Sequence, residues 1–244
     1  MKRFLFPFLL LTISLFVCSL LTNQTQIVSS SNLYLSLPKT SEKLAYLTFD
    51  DGPSPNVTPK ILDILDEENV KATFFVIGKK VEEHPEIVKD AYYRGHYIAN
   101  HTYSHDNHLL YQSEDSFLKE LQKTEEAIRK AIGQEDYTSH LFRFPNGFMS
   151  PCYKNQKQKM LPVLEEHGYT YLDWNALNSD SIKKYTPYEL FQNLKKTIQN
   201  KATLVILIHD TKDVSDSSTI LKESIEYLKK QGYIFRSLED YLEE

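Results

Sequence analysis

From Leu44 onward, short apolar runs alternate with longer amphipathic segments, and this order limits the folds open to the chain. Such alternation is typical of parallel β-strands joined by helices, in a sheet or a barrel. It predicts seven strands: Leu44–Phe49, Ala72–Ile77, Tyr97–Asn100, Leu141–Phe144, Tyr169–Asp173, Thr203–Ile208 and Tyr233–Arg236. Apolar spacing and N-terminal prolines predict six helices: Pro59–Glu68, Pro85–Arg94, Ser116–Ile132, Met160–His167, Pro187–Gln199 and Ile220–Lys230. These elements fit one domain.

Several polar residues stand at the C-terminal ends of the predicted strands or directly after them. They are Asp50, Asp51, Asn100, His101, Arg143, Asp173 and His209. In α/β barrels this end of the strands carries the active site. We therefore expect these side chains to meet at one end of the sheet.

The adjacent carboxylates of Asp50 and Asp51, together with His101 and His105, indicate a metal site. One carboxylate and two neutral imidazoles form a three-ligand set that leaves a position open for water, as catalytic zinc requires. The second carboxylate is then free to act as a base. Gly52-Pro53 bends the chain after the strand, so both carboxylates can line one cleft. Taken alone, the Asp-Asp-Gly-Pro run fits an ordinary turn equally well.

Composition narrows the class of protein. The chain has 244 residues, of which 41% are hydrophobic, and a formal net charge of −5. These values describe a globular domain with ample side chains for a core. Lysines are scattered among glutamates and form no basic stripe, which argues against nucleic-acid binding.

The first residues differ from the rest. Lys2 and Arg3 precede the uncharged apolar stretch Phe4–Leu21, which is long enough to cross a bilayer. We interpret residues 1–21 as an export signal, an uncleaved anchor in preference to a cleaved signal peptide, with a cytoplasmic N-terminus and an exported body. Residues 22–42, rich in Ser, Thr and Asn, are predicted to be a tether, and residues 43–244 the catalytic domain. Cys18 and Cys152 are the only cysteines, so the exported part has no intrachain disulfide.

At these motifs the chain resembles the polysaccharide deacetylases of carbohydrate esterase family 4, from Leu44 to Leu242. Thr48-Phe49-Asp50-Asp51-Gly52 looks like the first family motif, and His101-Thr102-Tyr103-Ser104-His105 looks like the second. The resemblance implies that Asp50 is the catalytic base. It also implies that Asp51, His101 and His105 are the metal ligands.

Two later segments resemble further motifs of the family. In Arg143-Phe144-Pro145 the Arg is expected to orient the base, and the backbone N–H of the next residue, Asn146, to bind the oxyanion. In Ile206-Leu207-Ile208-His209 the resemblance implies that Leu207 lines the acetyl pocket and that His209 is the general acid. The family fold, a distorted (β/α) barrel with fewer than eight strands, agrees with the seven strands predicted above.

The chain departs from the family pattern at two points. Asn146 replaces the Tyr of many members, but a backbone N–H contact is indifferent to the side chain. The fourth motif matches only in part. Tyr171-Leu172-Asp173-Trp174-Asn175 supplies the Trp that the resemblance implies for a substrate wall. Whether Asp173, Asp180 or neither supports His209 stays open.

Two of the assignments, Arg143 and Trp174, have a simpler alternative. The alternative role for Arg143 is that of a surface ion-pair partner, but its apolar neighbours favour burial, and a buried arginine needs an anion, which Asp50 can provide. Trp174 is either part of the core or a platform for a sugar ring. His209 closes the most apolar strand, and at a cleft its imidazole can titrate near neutral pH and donate to a leaving amine.

Together these observations predict a metal-dependent N-deacetylase of an N-acetylhexosamine polymer. We expect the substrate to be N-acetylglucosamine of peptidoglycan and the metal to be zinc, with cobalt or nickel geometrically possible. Chitin oligomers, an exopolysaccharide and N-acetylmuramic acid are the alternative substrates. An inactive sugar-binding module is the alternative class. We expect a monomer.

Overall fold

The computed structural model describes residues 41–211 and 216–243. The predicted anchor, residues 1–21, and nearly all of the predicted tether, residues 22–42, lie outside the described residues. Within the described part of the chain, no helix combines the length and the apolar character needed to span a bilayer.

The sheet contains eight parallel strands and curls into a half-barrel within one domain, which confirms the predicted fold class. In chain order the strands are β1 (Lys43–Asp50), β2 (Thr73–Val76), β3 (Tyr97–Asn100), β4 (Leu141–Phe142), β5 (Thr170–Tyr171), β6 (Ala176–Leu177), β7 (Thr203–His209) and β8 (Tyr233–Phe235). All seven predicted strands are present, and the short strand β6 is an addition.

Strand β1 lies in the middle of the sheet. The strand order is β5-β4-β3-β2-β1-β7-β6, and β8 pairs with the start of β1. One edge of β1 pairs with β7 along its length, in a register that places Asp50 opposite His209. The other edge pairs with β8 near Lys43 and with β2 near Asp50. This arrangement brings residues from distant parts of the sequence to one strand end.

Nine helices are described along the chain. They are α1 (Thr58–Glu67), α2 (Gly78–Glu83), α3 (Pro85–Tyr93), α4 (Asn107–Leu110), α5 (Glu114–Ile132), α6 (Lys154–Glu166), α7 (Pro187–Thr197), α8 (Ser218–Lys230) and α9 (Leu238–Glu243). All six predicted helices are present. Helix α6 begins six residues before the predicted Met160; its first turns are polar, so apolar spacing did not indicate them. The short helices α2, α4 and α9 were not predicted.

Alternation along β1 divides its side chains between two buried clusters. Ala45, Leu47 and Phe49 join the larger cluster, which includes apolar residues of α1, α3, α5 and α8. Leu44 and Tyr46 join a second cluster inside the curled sheet. By the same alternation Thr48 and Asp50 continue the inner face, so the strand directs Asp50 into the half-barrel.

Candidate active site

Asp50 and Asp51 lie in one cleft but make different contacts. Asp50 ends β1 and is 3% exposed, with Oδ2 at 3.9 Å from His101 Nε2. Asp51 has left the strand and adopts φ of +73°. This change of backbone conformation turns its carboxylate toward the imidazoles of His101 and His105. Without it, two neighbouring residues of a strand would point to opposite faces.

Asp51, His101 and His105 form a group that can hold a metal ion. Asp51 Oδ1 lies 3.4 Å from His101 Nε2 and 3.3 Å from His105 Nε2. This buried oxygen has no hydrogen-bond partner among the described residues. An unpartnered buried carboxylate oxygen beside two imidazole nitrogens fits a divalent cation, which would supply the missing partner.

A backbone contact fixes the tautomer of His101. Its Nδ1 lies 2.8 Å from the carbonyl oxygen of Arg143. Because that oxygen can only accept, we assign the ring proton to Nδ1, which leaves the Nε2 lone pair facing Asp51. Such a contact from the far ring nitrogen is the usual way in which proteins orient a metal-binding histidine.

The turn from His101 to His105 brings both imidazoles to the same place. Thr102 and His105 adopt left-handed conformations, with φ of +72° and +56°. The side chain of Asn100, at the end of β3, accepts the Thr102 N–H at 3.0 Å, and Thr102 Oγ1 accepts the His105 N–H at 3.1 Å. The ring centroids of the two histidines lie 4.9 Å apart.

Arg143 is fully buried and holds Asp50, as the apolar neighbours of this arginine predicted. One guanidinium nitrogen donates to Asp50 Oδ1 at 2.7 Å and to the Thr48 hydroxyl at 2.8 Å, and Nε donates to the Leu172 carbonyl at 3.0 Å. The guanidinium also packs 4.0 Å from the ring centre of Phe75. These contacts hold the Asp50 carboxylate in one orientation.

Asp180 supports His209, which the sequence left open. His209 Nδ1 lies 2.6 Å from Asp180 Oδ1, and the His209 N–H donates to Asp180 Oδ2 at 2.9 Å. Asp173 faces elsewhere and accepts two backbone N–H groups of the loop after Asn146. Asp180 comes three residues after β6, so a strand predicted at Ala176–Leu177 would have placed it at the same end of the sheet.

The surroundings shift the pKa values of the site in different directions. Burial lowers the pKa of His209, but the hydrogen bond and charge of Asp180, with Asp50 and Asp51, outweigh burial and raise it to about 9. Burial and the nearby His101 lower the pKa of His105 to about 4. Burial raises the pKa of Asp51, but the contacts with His101 and the other imidazoles bring it below its ordinary value.

The backbone N–H of Asn146 lies in a tight turn. The Gly147 N–H donates to the Phe144 carbonyl at 2.8 Å, with Pro145 and Asn146 as the two central residues. Asn146 has φ of +64°, as the second central residue of a type II turn requires. Among the described residues nothing accepts the Asn146 N–H, so this donor is available to an oxyanion.

Leu207 and Trp174 complete the set of predicted residues. Leu207 is buried on β7 two residues before His209, so both belong to the inner face of the strand. Trp174 is half-buried beside the inner cluster, and its ring centre lies 5.7 Å from the guanidinium carbon of Arg143. It therefore contacts both the core and the predicted oxyanion turn.

Comparisons with known proteins identify the family. The family model described as polysaccharide deacetylase matches residues 38–172. Over 206 residues the chain is 32% identical to the peptidoglycan-N-acetylmuramic acid deacetylase PdaA of Bacillus subtilis strain 168, covering 84% of this chain and 74% of PdaA. Over 207 residues it is 32% identical to a peptidoglycan-N-acetylglucosamine deacetylase of Bacillus cereus strain ATCC 14579, covering 83% of this chain and 89% of that protein.

A solved structure agrees with this result. The catalytic domain of peptidoglycan N-acetylglucosamine deacetylase from Eubacterium rectale ATCC 33656 superposes with a TM-score of 0.75 at 29% identity, covering 85% of this chain and 93% of that domain. The chain belongs to the polysaccharide deacetylase family, carbohydrate esterase family 4. It is accordingly an enzyme, a hydrolase of amide bonds.

Proposed function

We propose that the protein is an exported, metal-dependent N-deacetylase that acts on the N-acetylglucosamine residues of peptidoglycan. One observation carries the proposal: a candidate metal site, a buried carboxylate and a supported histidine share one cleft. His209 Nε2 lies 3.9 Å from Asp51 Oδ2, and His101 Nε2 lies 3.9 Å from Asp50 Oδ2. A base and an acid on either side of a cation are the groups that amide hydrolysis requires.

Asp51, His101 and His105 would hold the metal. When bound there, a divalent cation would polarise the acetyl carbonyl and lower the pKa of water. The nitrogen-rich ligand set favours zinc, and cobalt and nickel are compatible with it. We expect a chelator to abolish turnover and added zinc to restore it. Unchanged metal content and activity in both His101→Ala and His105→Ala would contradict the assignment.

Asp50 is proposed to remove the proton from the attacking water. Its Oδ1 is occupied by Arg143 at 2.7 Å, whereas Oδ2 faces the side of the cleft on which His101 lies. The arginine thus fixes the orientation of the carboxylate and leaves one oxygen for the proton.

Asn146 and His209 are proposed to act on the other atoms of the amide. The Asn146 N–H would donate to the oxyanion that forms from the acetyl oxygen. The Nε2–H of His209 would protonate the departing amine, while Asp180 holds the opposite ring nitrogen at 2.6 Å. With a pKa raised to about 9, His209 carries this proton at neutral pH. Leu207 would line the acetyl pocket, and Trp174 would form a wall for the sugar.

The choice of sugar rests on the comparisons. The Bacillus cereus protein and the Eubacterium rectale domain are named for N-acetylglucosamine, which supports that residue as the substrate. PdaA is named for N-acetylmuramic acid at similar identity, which makes that sugar the second candidate.

Acetate release from defined polymers tests the proposal. The purified protein is incubated with peptidoglycan and, separately, with chitin oligomers, and acetate is measured. The wall is then digested, and mass spectrometry locates the free amine. We expect amine on glucosamine, and none with Asp50→Asn. Free amine on muramic acid would identify N-acetylmuramic acid as the substrate instead. Sugar binding without release of acetate would indicate an inactive sugar-binding module.

We also propose that the catalytic domain lies outside the cytoplasmic membrane, on the evidence of Lys2, Arg3 and the apolar stretch Phe4–Leu21. Protease added to intact protoplasts should then digest the domain while a cytosolic marker survives. A domain that is cleaved only after lysis would contradict this location.

A further inference from the structure

The loop after the Asn146 turn is held by two buried charged side chains. Residues 147–150 contain no helix or strand, so their backbone N–H and C=O groups need other partners. Asp173 accepts from the N–H groups, and Lys157 donates to the carbonyl groups. Both side chains come from outside the loop.

Asp173 binds two successive N–H groups. Its Oδ1 accepts from Phe148 at 2.7 Å, and its Oδ2 accepts from Met149 at 2.8 Å. The residue is 6% exposed, so little solvent competes for these oxygens. Hydrogen bonds between a carboxylate and backbone N–H groups are among the stronger ones in proteins.

Lys157, in α6, holds the same loop through its carbonyl groups. Its ammonium donates to the Gly147 carbonyl, and lies 3.4 Å from the Ser150 carbonyl. The lysine is 1% exposed, which is rare for this residue type unless its charge is compensated. The nearby Asp173 carries the opposite charge. The loop backbone therefore lies between a buried anion and a buried cation.

Two further contacts join this loop to the site. A Cβ added at Gly147, which has φ of +74°, would lie 2.7 Å from the Trp174 ring, so the ring packs directly on the loop backbone. The guanidinium of Arg143 donates to the Asp173 carbonyl at 3.3 Å. The arginine that orients Asp50 thus also contacts the residue that holds the loop.

We propose that Asp173 and Lys157 are positioning residues, which hold the Asn146 N–H where an oxyanion can accept it. They act through the backbone, because the atoms they bind begin one residue after Asn146. The inference rests on the proposed deacetylation. Asp173 thus affects the oxyanion through the loop that carries the Asn146 N–H, whereas Asp180 is the carboxylate that contacts His209.

Hydrogen exchange tests the contact without relying on activity. Asp173→Asn keeps the size of the side chain but replaces one acceptor oxygen with an N–H donor group. We expect the amides of Phe148 and Met149 to exchange about tenfold faster or more in this variant. The matched control is Glu125→Gln, since Glu125 is also buried and accepts one backbone N–H, that of Ser139, at 3.0 Å. There the Ser139 amide alone should exchange faster.

Kinetics separate positioning from general destabilisation. With Asp173→Asn we expect kcat to fall about tenfold to a hundredfold, with KM and zinc affinity nearly unchanged, because the lost contact matters most at the oxyanion. A tetrahedral phosphonate analogue of the acetamide should lose affinity in parallel with kcat. Glu125→Gln should leave kcat unchanged.

A second variant keeps the inference testable if Asp173→Asn folds poorly. Lys157→Met keeps most of the length of the side chain and removes the donor, and it should lower kcat without a change in metal affinity. Wild-type kcat in either folded variant would overturn the inference. A shifted basic limb of the pH profile in Asp173→Asn would also overturn it, because Asp173 would then act on His209. Absence of acetate release by the wild type would instead overturn the proposed function, and the exchange result would still decide whether Asp173 holds the loop.

Discussion

The two adjacent carboxylates of the site have different environments. Asp50 stays in β1 and pairs with a buried guanidinium, whereas Asp51 leaves the strand in a left-handed conformation and faces two imidazoles. The left-handed region is unfavourable for most residues but is tolerated by Asp. The two residues have the same side chain and differ only in backbone conformation and contacts. Substitution of each by the isosteric amide can therefore distinguish their proposed roles.

Asp50→Asn should retain the metal and lose turnover, because an amide cannot accept the proton from water. General-base catalysis contributes about 10²- to 10⁴-fold, and we expect a loss in that range. Asp51→Asn should instead weaken metal binding, since a neutral oxygen replaces an anionic ligand. Metal content and acetate release measured on both variants test the assignment. Loss of metal from Asp50→Asn with retention in Asp51→Asn would reverse it.

Asp180→Asn should move the basic limb of the pH profile. Burial alone would lower the pKa of His209, and the hydrogen bond and charge of Asp180 raise it to about 9. Removing that charge lowers this pKa, so the proton needed by the amine is lost at lower pH. The basic limb of kcat/KM should shift to lower pH, with activity at the optimum reduced about tenfold or more. An unshifted basic limb would show that Asp180 does not raise the pKa of His209.

For single residues, the sequence predicts the chemistry of a side chain better than it predicts which residue that side chain contacts. It indicated that Arg143 needs a buried anion, and the structure places Asp50 beside this arginine. It could not choose between Asp173 and Asp180, because that choice depends on which backbone each carboxylate faces after folding. The roles of Asp50, Asn146 and His209 stay predictions until variants are measured.

Among secondary-structure elements, length decided what could be predicted. Strands such as β1 and β7 carry long apolar runs, and α5 carries apolar residues at helical spacing over nineteen residues. Helices α2 and α4 have six and four residues, too few to show a period of 3.6. These short elements follow β2 and β3 at the end that carries the site, so sequence periodicity is least informative there.

Helix α5 also holds the loop that carries the two histidines. Glu120, which is 8% exposed, accepts the N–H groups of Tyr103 at 3.1 Å and Ser104 at 2.7 Å. The same oxygen accepts the Ser104 hydroxyl at 2.9 Å. One carboxylate of a regular helix thus fixes the loop midway between His101 and His105.

Glu120→Gln should therefore weaken metal binding without touching a ligand. Loss of the anionic acceptor loosens the loop, and contacts of this kind typically contribute about 10- to 100-fold in metal affinity. Competition with a chelator measures the change. Glu126→Gln, at an exposed position of the same helix, is the control and should bind metal as the wild type does. Equal affinity in both variants would contradict the effect of this loop.

For the whole molecule, the order of strands determines the site. Motifs near residues 50, 101, 143 and 209 meet because β1 lies between β2 and β7, with β3 and β4 following on one side. The alternation of strands and helices predicted a parallel sheet, but periodicity contains no information on which strands are neighbours. Long-range pairing such as Asp50 with His209 comes from packing of the complete chain.

One buried acid beside the site, Asp210, should affect how the free energy of unfolding depends on pH. Asp210 is 1% exposed, its Oδ2 accepts the Thr58 hydroxyl at 2.8 Å, and its Oδ1 has no partner among the described residues. A Cβ added at Gly52 would overlap the Asp210 carboxyl group, so this group packs on the backbone of the first motif. Burial raises the pKa of Asp210 from 3.8 to about 7.

The contribution of Asp210 to the free energy of unfolding should therefore fall as the pH rises from about 4 to 7. In that range the folded protein keeps the Asp210 proton while the unfolded chain has lost it, so deprotonation favours unfolding, by up to about 4 kcal/mol for three pKa units. Asp210→Asn should remove this contribution, so the free energy of unfolding of the variant relative to the wild type should rise between pH 5 and pH 8, and the variant should be the more stable protein at pH 8. Urea unfolding of the metal-free proteins at pH 5 and pH 8 measures the difference, with the exposed Asp136→Asn as control. The same slope in wild type and Asp210→Asn would show that Asp210 titrates normally.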